Sequence, residues 1–338
     1  MPSPQSPPST ARLADIAVQA GVSEATVSRV LNGRPGVSAG TRESVLAALD
    51  LLGYERPVRL RRRSEGLVGM VTPELDNPIF PAFAQVIGQG LTRRGYTPVL
   101  ATQTPGGSTE DELVEMLVAR DVAGIVFVSG LHADLTADRE RYHRLSAQGV
   151  PFVLVNGFAQ EVRAPCVSPD DRGAMRLAVR HLAALGHRRI GLACGPRRYV
   201  PVARKIEGFL AAVAELGTAA DEAAVAASLF SVEGGQAAAR ELVEDAGCTA
   251  VVCASDLMAL GAVRAVRAMG RTVPGDVSVV GFDDSPLIAY TDPPLTTIRQ
   301  PVAAMGQAAV RALFEGVAGE FVFLPELVVR GSTAAVPG

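Results

Sequence analysis

Polar side chains directly follow three apolar runs in the second part of the chain. They are Asp283 and Asp284 after VSVVGF, Ser255 and Asp256 after AVVCA, and Asn156 after PFVLV. Carboxylates, hydroxyls and amides together accept and donate hydrogen bonds, which is the chemistry that a hydroxyl-rich ligand requires. Asp256 and Asp284 are also suited to cap the helices that follow them, and both interpretations stay open.

A second group of residues is suited to binding a polyanion. The stretch ERPVRLRRRSEG, residues 55–66, holds five of the nine arginines of residues 1–65, a segment with six acidic residues. That segment therefore carries a net charge of +3, although the whole chain carries −3. Arginines this close repel one another unless a polyanion lies nearby, so the tract favours nucleic acid as a partner.

Three short helical runs must position the residues of the first part. Leu13 and Ile16 recur at helical spacing before Gly21, and Ser23 is a suitable N-cap for EATVSRVLN. Two short helices joined by a glycine turn predict a helix-turn-helix, whose second helix can enter the major groove. A helical hairpin that only packs on the body is the alternative, which the basic tract and the Ser/Thr-rich second helix disfavour. Ser38 caps the third run, in which we expect Val45, Leu49 and Leu52 to point inward.

From about residue 66 the chain alternates apolar, β-branched runs with amphipathic helices. The predicted strands are LVGMV (67–71), TPVLA (97–101), GIVFV (124–128), PFVLV (151–155), RIGLA (189–193), VAASLF (225–230), AVVCA (250–254) and VSVVGF (277–282). Continuous apolar strands separated by helices indicate parallel sheets covered on both faces. There are too many strands for one sheet of usual size, so we predict two α/β lobes that divide near residue 166.

The sequence contains none of the common catalytic motifs. The histidines lie on predicted helices or their ends without a nucleophile motif beside them, and we expect His187 to cap a helix end as a cation. There is no P-loop, no G-x-G-x-x-G after a strand and no C-x-x-C pair. We therefore expect no enzyme activity, no cofactor and no metal. The cysteines expected as buried thiols are Cys166, Cys194, Cys248 and Cys253.

No uncharged stretch of the sequence reaches the length of a membrane span, about 18 residues. The N-terminal MPSPQSPPST lacks the basic start and apolar run of a secretion signal. We therefore expect a disordered tail over residues 1–10 and a cytoplasmic protein without a membrane partner.

Several motifs, in order along the chain, carry a resemblance to a known family. They are LADIAVQAGVSEATVSRVLNGRPGVSAGTRESVLAALDLLGY, VRHLAALGHRRIGLACGP, SDLMALGAVRAV, DVSVVGFDD and DPPLTTIRQP. Together they resemble the lactose-repressor/galactose-repressor (LacI/GalR) family of bacterial transcription regulators over nearly the whole chain after residue 10. The resemblance implies an all-α helix-turn-helix head and a two-lobed α/β body of the periplasmic-binding-protein type.

The resemblance also implies which head residues contact DNA. Glu24, Ala25 and Arg29 match the base-reading positions. Arg29 can pair with guanine O6 and N7, whereas Ala25 offers only a methyl contact to thymine. Glu24 either accepts from cytosine N4 or is a solvated bystander. Ser23, which begins this helix, is also an expected DNA-binding residue. The residues that match phosphate contacts, which fix register without reading sequence, are Thr26, Ser28, Asn32, Ser38 and Tyr54.

The hinge departs from the family pattern. In the family, a short helix after the tyrosine inserts a leucine into the minor groove and kinks the duplex. The corresponding segment here is about three residues shorter than the usual hinge, and Leu60 is the one leucine available. Arg59 and Arg61 are expected to follow phosphates or to enter the minor groove. A solvated basic linker is the alternative.

For the body, the resemblance implies a ligand cleft between the lobes. The matching effector positions are Asn77 and Phe80 in one segment, Asn156, Lys205, Ser255 and Asp283. Lys205 stands where the family usually has arginine, and Ser255 where many relatives have asparagine. Lysine supplies a point charge instead of a planar fork, so ligand recognition is expected to differ. A sugar or sugar derivative is the expected effector.

These expectations combine into one architecture and one mechanism. The head covers residues 11–56, the hinge 57–66 and the effector-binding body 67–338. The N-lobe is expected at about 67–166 and 299–325, and the C-lobe at about 167–298 and 326–338. One short recognition helix reads few base pairs, so we predict a homodimer on a palindromic DNA operator, acting as a repressor. The alternatives are control by a protein partner, a solute-binding protein, or an enzyme.

Overall fold

The computed structural model describes residues 10–54, 64–103, 106–217, 225–316 and 318–336. It separates into two compact units, which divide between Ser64 and Glu65. We call the first unit the head and the second the body. None of the helices in these ranges combines the length and apolar character needed to cross a membrane.

The head consists of three helices around a small apolar core. They are α1 (Thr10–Ala20), α2 (Glu24–Leu31) and α3 (Ala39–Leu51). Gly21 ends α1 with a positive φ of 64°, a conformation that glycine adopts without steric cost. Val27, Val45 and Leu49 are buried in the core, but Leu52 is 37% exposed, so its predicted inward position is wrong. Leu52 follows the last turn of α3, where the helical spacing no longer directs a side chain inward.

The N-lobe of the body is a six-stranded parallel sheet with the order β11-β5-β4-β3-β1-β2. Its strands are β1 (Leu67–Thr72), β2 (Thr97–Thr102), β3 (Gly124–Val128), β4 (Phe152–Val155), β5 (Pro165–Pro169) and β11 (Gly319–Phe323). Its helices are α4 (Ile79–Arg93), α5 (Glu110–Val118), α6 (Glu140–Ala147) and α11 (Val302–Glu315). Separate apolar clusters cover the two faces of the sheet.

The C-lobe is a second six-stranded sheet with the order β12-β10-β9-β8-β6-β7. Its strands are β6 (Ile190–Cys194), β7 (Val225–Ala227), β8 (Ala250–Cys253), β9 (Ser278–Asp283), β10 (Thr296–Arg299) and the antiparallel β12 (Glu326–Val328). Its helices are α7 (Asp171–Ala184), α8 (Val200–Ala214), α9 (Val232–Arg240) and α10 (Asp256–Ala268).

The chain crosses between the lobes three times, at the edge of the sheets where β5, β11, β10 and β12 lie. The first crossing falls between β5 and α7, at Asp170, because β5 pairs with β4 in the N-lobe up to Val167 and with β11 up to Pro169. The predicted division near residue 166 is therefore a few residues too early. All eight predicted strands exist, but sequence reasoning missed β5, β10, β11 and β12, which are short and rich in proline, threonine or charged residues.

Candidate functional site

The second helix of the head has one buried and one exposed side. Val27, Val30 and Leu31 are buried, whereas Glu24, Ala25 and Arg29 are exposed. Ser23 caps α2 by accepting a hydrogen bond from the Thr26 amide at 3.3 Å. The three residues expected to read bases therefore share the solvent side of a helix that its cap and core hold in place.

The polar residues of the head that are expected to contact DNA make hydrogen bonds within the head. Ser23 and Thr26 lie 3.0 Å apart through their hydroxyl oxygens, and the Asn32 amide donates to Ser28 at 3.2 Å. Ser38 caps α3, and Tyr54 donates to the Asp15 carboxylate at 3.3 Å. These bonds order the polar side chains. The hinge residues Arg59, Leu60 and Arg61 lie outside the described residues.

In the body, Lys205 lies on α8 in a buried ionic group. Its Nζ donates to the Asp171 carboxylate and lies 3.9 Å from the centroid of the Phe282 ring. Lys205 and Asp171 are both buried. Burial raises the pKa of Asp171, while the Lys205 ammonium opposes that rise. The ammonium is therefore fixed over an aromatic face by one carboxylate.

Two further carboxylates extend this group at the carboxyl ends of the C-lobe strands. Asp283 accepts from the Gln300 amide at 2.6 Å, and burial together with the nearby Asp256 carboxylate raises the pKa of Asp283 well above its usual range. Asp256 accepts from the Ser285 amide and the Thr297 hydroxyl, both at 2.7 Å. Burial raises the pKa of Asp256 to about 6 against these hydrogen bonds.

The structure does not bear out helix capping by Asp256 and Asp284. Ser255 is the N-cap of α10, where it accepts from the Met258 amide at 3.3 Å, and Asp256 is the first residue of that helix. Asp284 instead pairs with Arg299 and Arg330, each at 2.6 Å. The Ser255 hydroxyl directly before α10 satisfies the capping geometry there, which leaves the Asp256 carboxylate to other partners.

The N-lobe supplies the other expected effector residues. Asn77 is buried, and its side-chain oxygen accepts from the Ile79 amide at 3.3 Å, one residue before the buried Phe80. Asn156 follows β4 with a positive φ of 60° and donates to Ser129 at 2.6 Å. These side chains lie in the N-lobe and the Lys205 group in the C-lobe, and no hydrogen bond between described residues joins the two sets.

Unpartnered polar atoms also lie at strand ends. Among the described residues, the Thr72 and Ser168 hydroxyls and the Gln300 side-chain oxygen are buried without a hydrogen-bond partner. Thr72 ends β1, Ser168 lies near the end of β5, and Gln300 follows β10. A buried polar atom without a partner destabilises the protein, so these atoms favour a ligand that can hydrogen-bond to them.

Sequence reasoning missed two residues of this site for one reason. Asp171 comes shortly after β5 and Gln300 directly after β10, and both strands were absent from the predicted set. The same search for polar residues after strands would have found them if the short runs PCVSP and TTIR had been recognised.

His187 differs from its expected role as a cationic helix cap. It is buried, with Nδ1 2.9 Å from the Thr249 hydroxyl and Nε2 3.0 Å from that of Ser278. Burial lowers the pKa of His187, so a neutral ring joins these elements. The four cysteines are buried free thiols, as predicted. No group of three or more His, Cys, Asp or Glu within the described ranges is arranged to hold a metal ion.

Comparisons with known proteins agree with this geometry. The model of bacterial regulatory proteins of the lacI family matches residues 12–56, and that of the periplasmic binding protein-like domain matches residues 179–333. The HTH-type transcriptional regulator MalR of Streptomyces coelicolor is 72% identical over 339 residues, which cover 97% of this chain and 98% of MalR. The chain belongs to the LacI family. It is a DNA-binding transcriptional regulator, and the predicted family and fold class are confirmed.

Two solved LacI-family structures extend over nearly the whole chain. The transcriptional regulator CelR in complex with cellobiose is 35% identical, with a TM-score of 0.71 and coverage of 95% of this chain and 99% of CelR. The lac repressor dimer bound to operator and the anti-inducer ONPF is 29% identical, with a TM-score of 0.69 and coverage of 96% and 99%. The LacI-family relatives named here are transcriptional regulators.

Proposed function

We propose that this LacI-family regulator is a cytoplasmic repressor that binds a palindromic operator as a homodimer and has no enzymatic activity of its own. The observation that carries the proposal is the exposed side of α2, where Glu24, Ala25 and Arg29 stand on a capped helix above a buried core. The lac repressor dimer bound to operator supports the same assembly. The basic segment with Arg59, Leu60 and Arg61 would add phosphate and minor-groove contacts.

The effector in this proposal is a neutral sugar held between the lobes. Asp171, Asp256 and Asp283 are buried, and the Lys205 ammonium is already paired with Asp171, so this group offers an anionic ligand acceptors and no unpaired ammonium. Carboxylates and the unpartnered Gln300 oxygen suit sugar hydroxyls. The CelR–cellobiose complex supports a sugar of this kind. The expected contacts come from Asn77, Phe80, Asn156, Lys205, Ser255 and Asp283.

Two measurements test this function. Fluorescence anisotropy with promoter fragments from the source genome should find tight binding to a few fragments and weak, salt-sensitive binding to the others. Equal, salt-sensitive binding to every fragment would refute sequence-specific regulation.

A thermal-shift screen addresses the effector separately. Neutral mono- and disaccharides, cellobiose among them, are compared with sugar phosphates. A ligand at 100 times its dissociation constant adds about 2.7 kcal/mol of stability. Stabilisation by a sugar phosphate but by no neutral sugar would refute the charge argument.

A further inference from the structure

The two lobes touch directly at a pair of loops that follow β3 and β6. The Leu135 amide of the N-lobe donates to the Arg198 carbonyl oxygen of the C-lobe at 2.8 Å. The Arg198 Nε donates to the Asp134 carboxylate, also at 2.8 Å, and Asp134 forms an isolated antiparallel bridge with Tyr199. We call these contacts the clasp.

The N-lobe side of the clasp is held by its own lobe. Asp134 accepts from the Thr136 amide and hydroxyl at 2.9 and 2.7 Å. The Arg139 guanidinium donates to the carbonyl oxygens of Leu131 and Asp134, and Glu110 accepts from the Leu131 amide at 2.8 Å. The loop therefore keeps its conformation without help from the C-lobe, and loss of Arg198 removes a contact without removing the loop.

The clasp lies away from the edge where the chain crosses between lobes. β4 separates β3 from β5, and β8 and β9 separate β6 from β10. A rotation about the crossing segments moves the far side of the cleft most, so the clasp must break when the lobes open. The expected effector residues Asn77, Ser255 and Asp283 are buried polar residues at helix or strand ends of the two lobes, and we expect a ligand to reach them once the lobes have opened.

We propose that the Asp134–Arg198 clasp holds the two lobes together independently of any effector and controls access to the cleft. The effector then enters only when the clasp has broken, and the strength of the clasp sets how often that happens. Because the clasp is a contact within the body without effector, its test does not depend on which effector the protein binds.

Hydrogen exchange of the Leu135 amide in protein purified without effector tests the clasp. Arg198→Ala should speed this exchange about two- to fivefold, the range expected for one partly exposed ion pair. Asp134→Asn should speed the exchange by a similar factor, because it removes the charge that pairs with Arg198. The asparagine side-chain oxygen can still accept from Thr136, which preserves the loop. The matched control is Arg172→Ala, which removes a 2.6 Å pair with Glu207 inside the C-lobe. Unchanged Leu135 exchange in both clasp variants would overturn the proposal.

A second readout separates lobe opening from local fraying. A Ser255→Cys reporter places a thiol at an expected effector position of the C-lobe, distant in sequence from the clasp, where the native serine is 2% exposed. Adding Arg198→Ala should raise its rate of reaction with a thiol reagent by a similar factor, with the reporter-free chain as background. Faster Leu135 exchange without faster thiol reaction would show local fraying and overturn the gating role.

Discussion

At the scale of single residues, three buried carboxyl groups, one of them paired with Lys205, dominate the candidate site of the C-lobe. Burial raises the pKa of Asp171, Asp256 and Asp283, and the carboxylates of Asp256 and Asp283 repel each other. Lys205 offsets only part of this negative charge. Each of these carboxyl groups therefore holds its proton to a higher pH than an exposed carboxyl group does, and this gives the stability of the body a pH dependence.

Replacing Asp256 with asparagine should remove part of that dependence. The pKa of Asp256 is raised from 3.8 to about 6, so the folded state binds the proton more tightly than the unfolded chain. Its contribution to stability is fully present below the unfolded pKa and is lost as the pH rises through about 6. When the pH is lowered from about 7.5 to about 5.5, the free energy of unfolding of the unchanged chain should rise by about 1 kcal/mol relative to that of the Asp256→Asn variant.

Urea unfolding followed by circular dichroism at the two pH values measures this difference. The control is the exposed Asp245→Asn, which should follow the unchanged chain. If the free energy of unfolding of the Asp256→Asn variant rose as much as that of the unchanged chain, the pH dependence would not come from the raised pKa of Asp256.

Arg29 is the head residue expected to carry the most sequence information. Its exposed guanidinium can donate two hydrogen bonds to one guanine, so Arg29→Ala should lose about 1–3 kcal/mol at one base position of each half-site. Anisotropy titrations with operators substituted base by base measure the loss. Equal weakening on all DNA sequences would make Arg29 a phosphate ligand instead.

At the scale of elements, glycines set how closely helices pack. A Cβ at Gly235 in α9 would overlap the Met258 carbonyl oxygen of α10, and one at Gly261 in α10 would overlap that of Val232 in α9. Both overlaps involve backbone atoms, which cannot rotate away. The two helices therefore approach each other at a distance that only glycine permits. Of the two, α10 packs on β8 and β9; Ser255 follows β8, and Asp283 is the last residue of β9.

Gly235→Ala should destabilise the body by about 1–3 kcal/mol through this overpacking. Gly88→Ala is the matched control, because a Cβ there would meet Pro98 at an ordinary 3.7 Å within the helix α4. Alanine also favours the helix, so Gly88→Ala should be neutral or slightly stabilising. Urea unfolding measures the stability of both variants. If Gly235→Ala were as stable as Gly88→Ala, the close packing of α9 and α10 would not require glycine.

At the scale of the whole molecule, two units with different tasks must act together. The head offers one eight-residue helix to DNA, and the body offers two lobes that are joined by three crossings, by the Arg204–Glu320 ion pair beside them and by the clasp. A change in the angle between the lobes is the event that an effector can favour under our proposal, because the expected contact residues lie on both lobes. In a homodimer this change would alter the spacing of the two heads on the operator.

The spacing of operator half-sites should therefore matter strongly. Inserting about five base pairs between them turns one half-site to the opposite face of the duplex. Binding by the dimer should fall by at least about tenfold, towards the affinity for a single half-site. Anisotropy with the native, inserted and single-half-site duplexes measures this, and equal affinity for the first two would argue against a symmetric dimer.

Local patterns were enough to predict the head and most of the sheet. The spacing of Val27, Val30 and Leu31 and the cap at Ser23 lie within one short segment, so propensity and periodicity identify α2 directly. The buried strands β3 and β8 are equally visible as continuous apolar runs. The carboxylate of Asp283 followed from the rule that ligands bind beyond strand ends.

Contacts between distant segments could be found only in the folded chain. Asp171 meets Lys205 across 34 residues, and Asp134 meets Arg198 across 64. No periodicity encodes such pairs, because they depend on how sheets, helices and lobes pack. The strands β5 and β10 gain stability from neighbours already in the sheets instead of from strong local propensity. Local composition therefore indicated which residues could bind, whereas packing determined their partners and their charge.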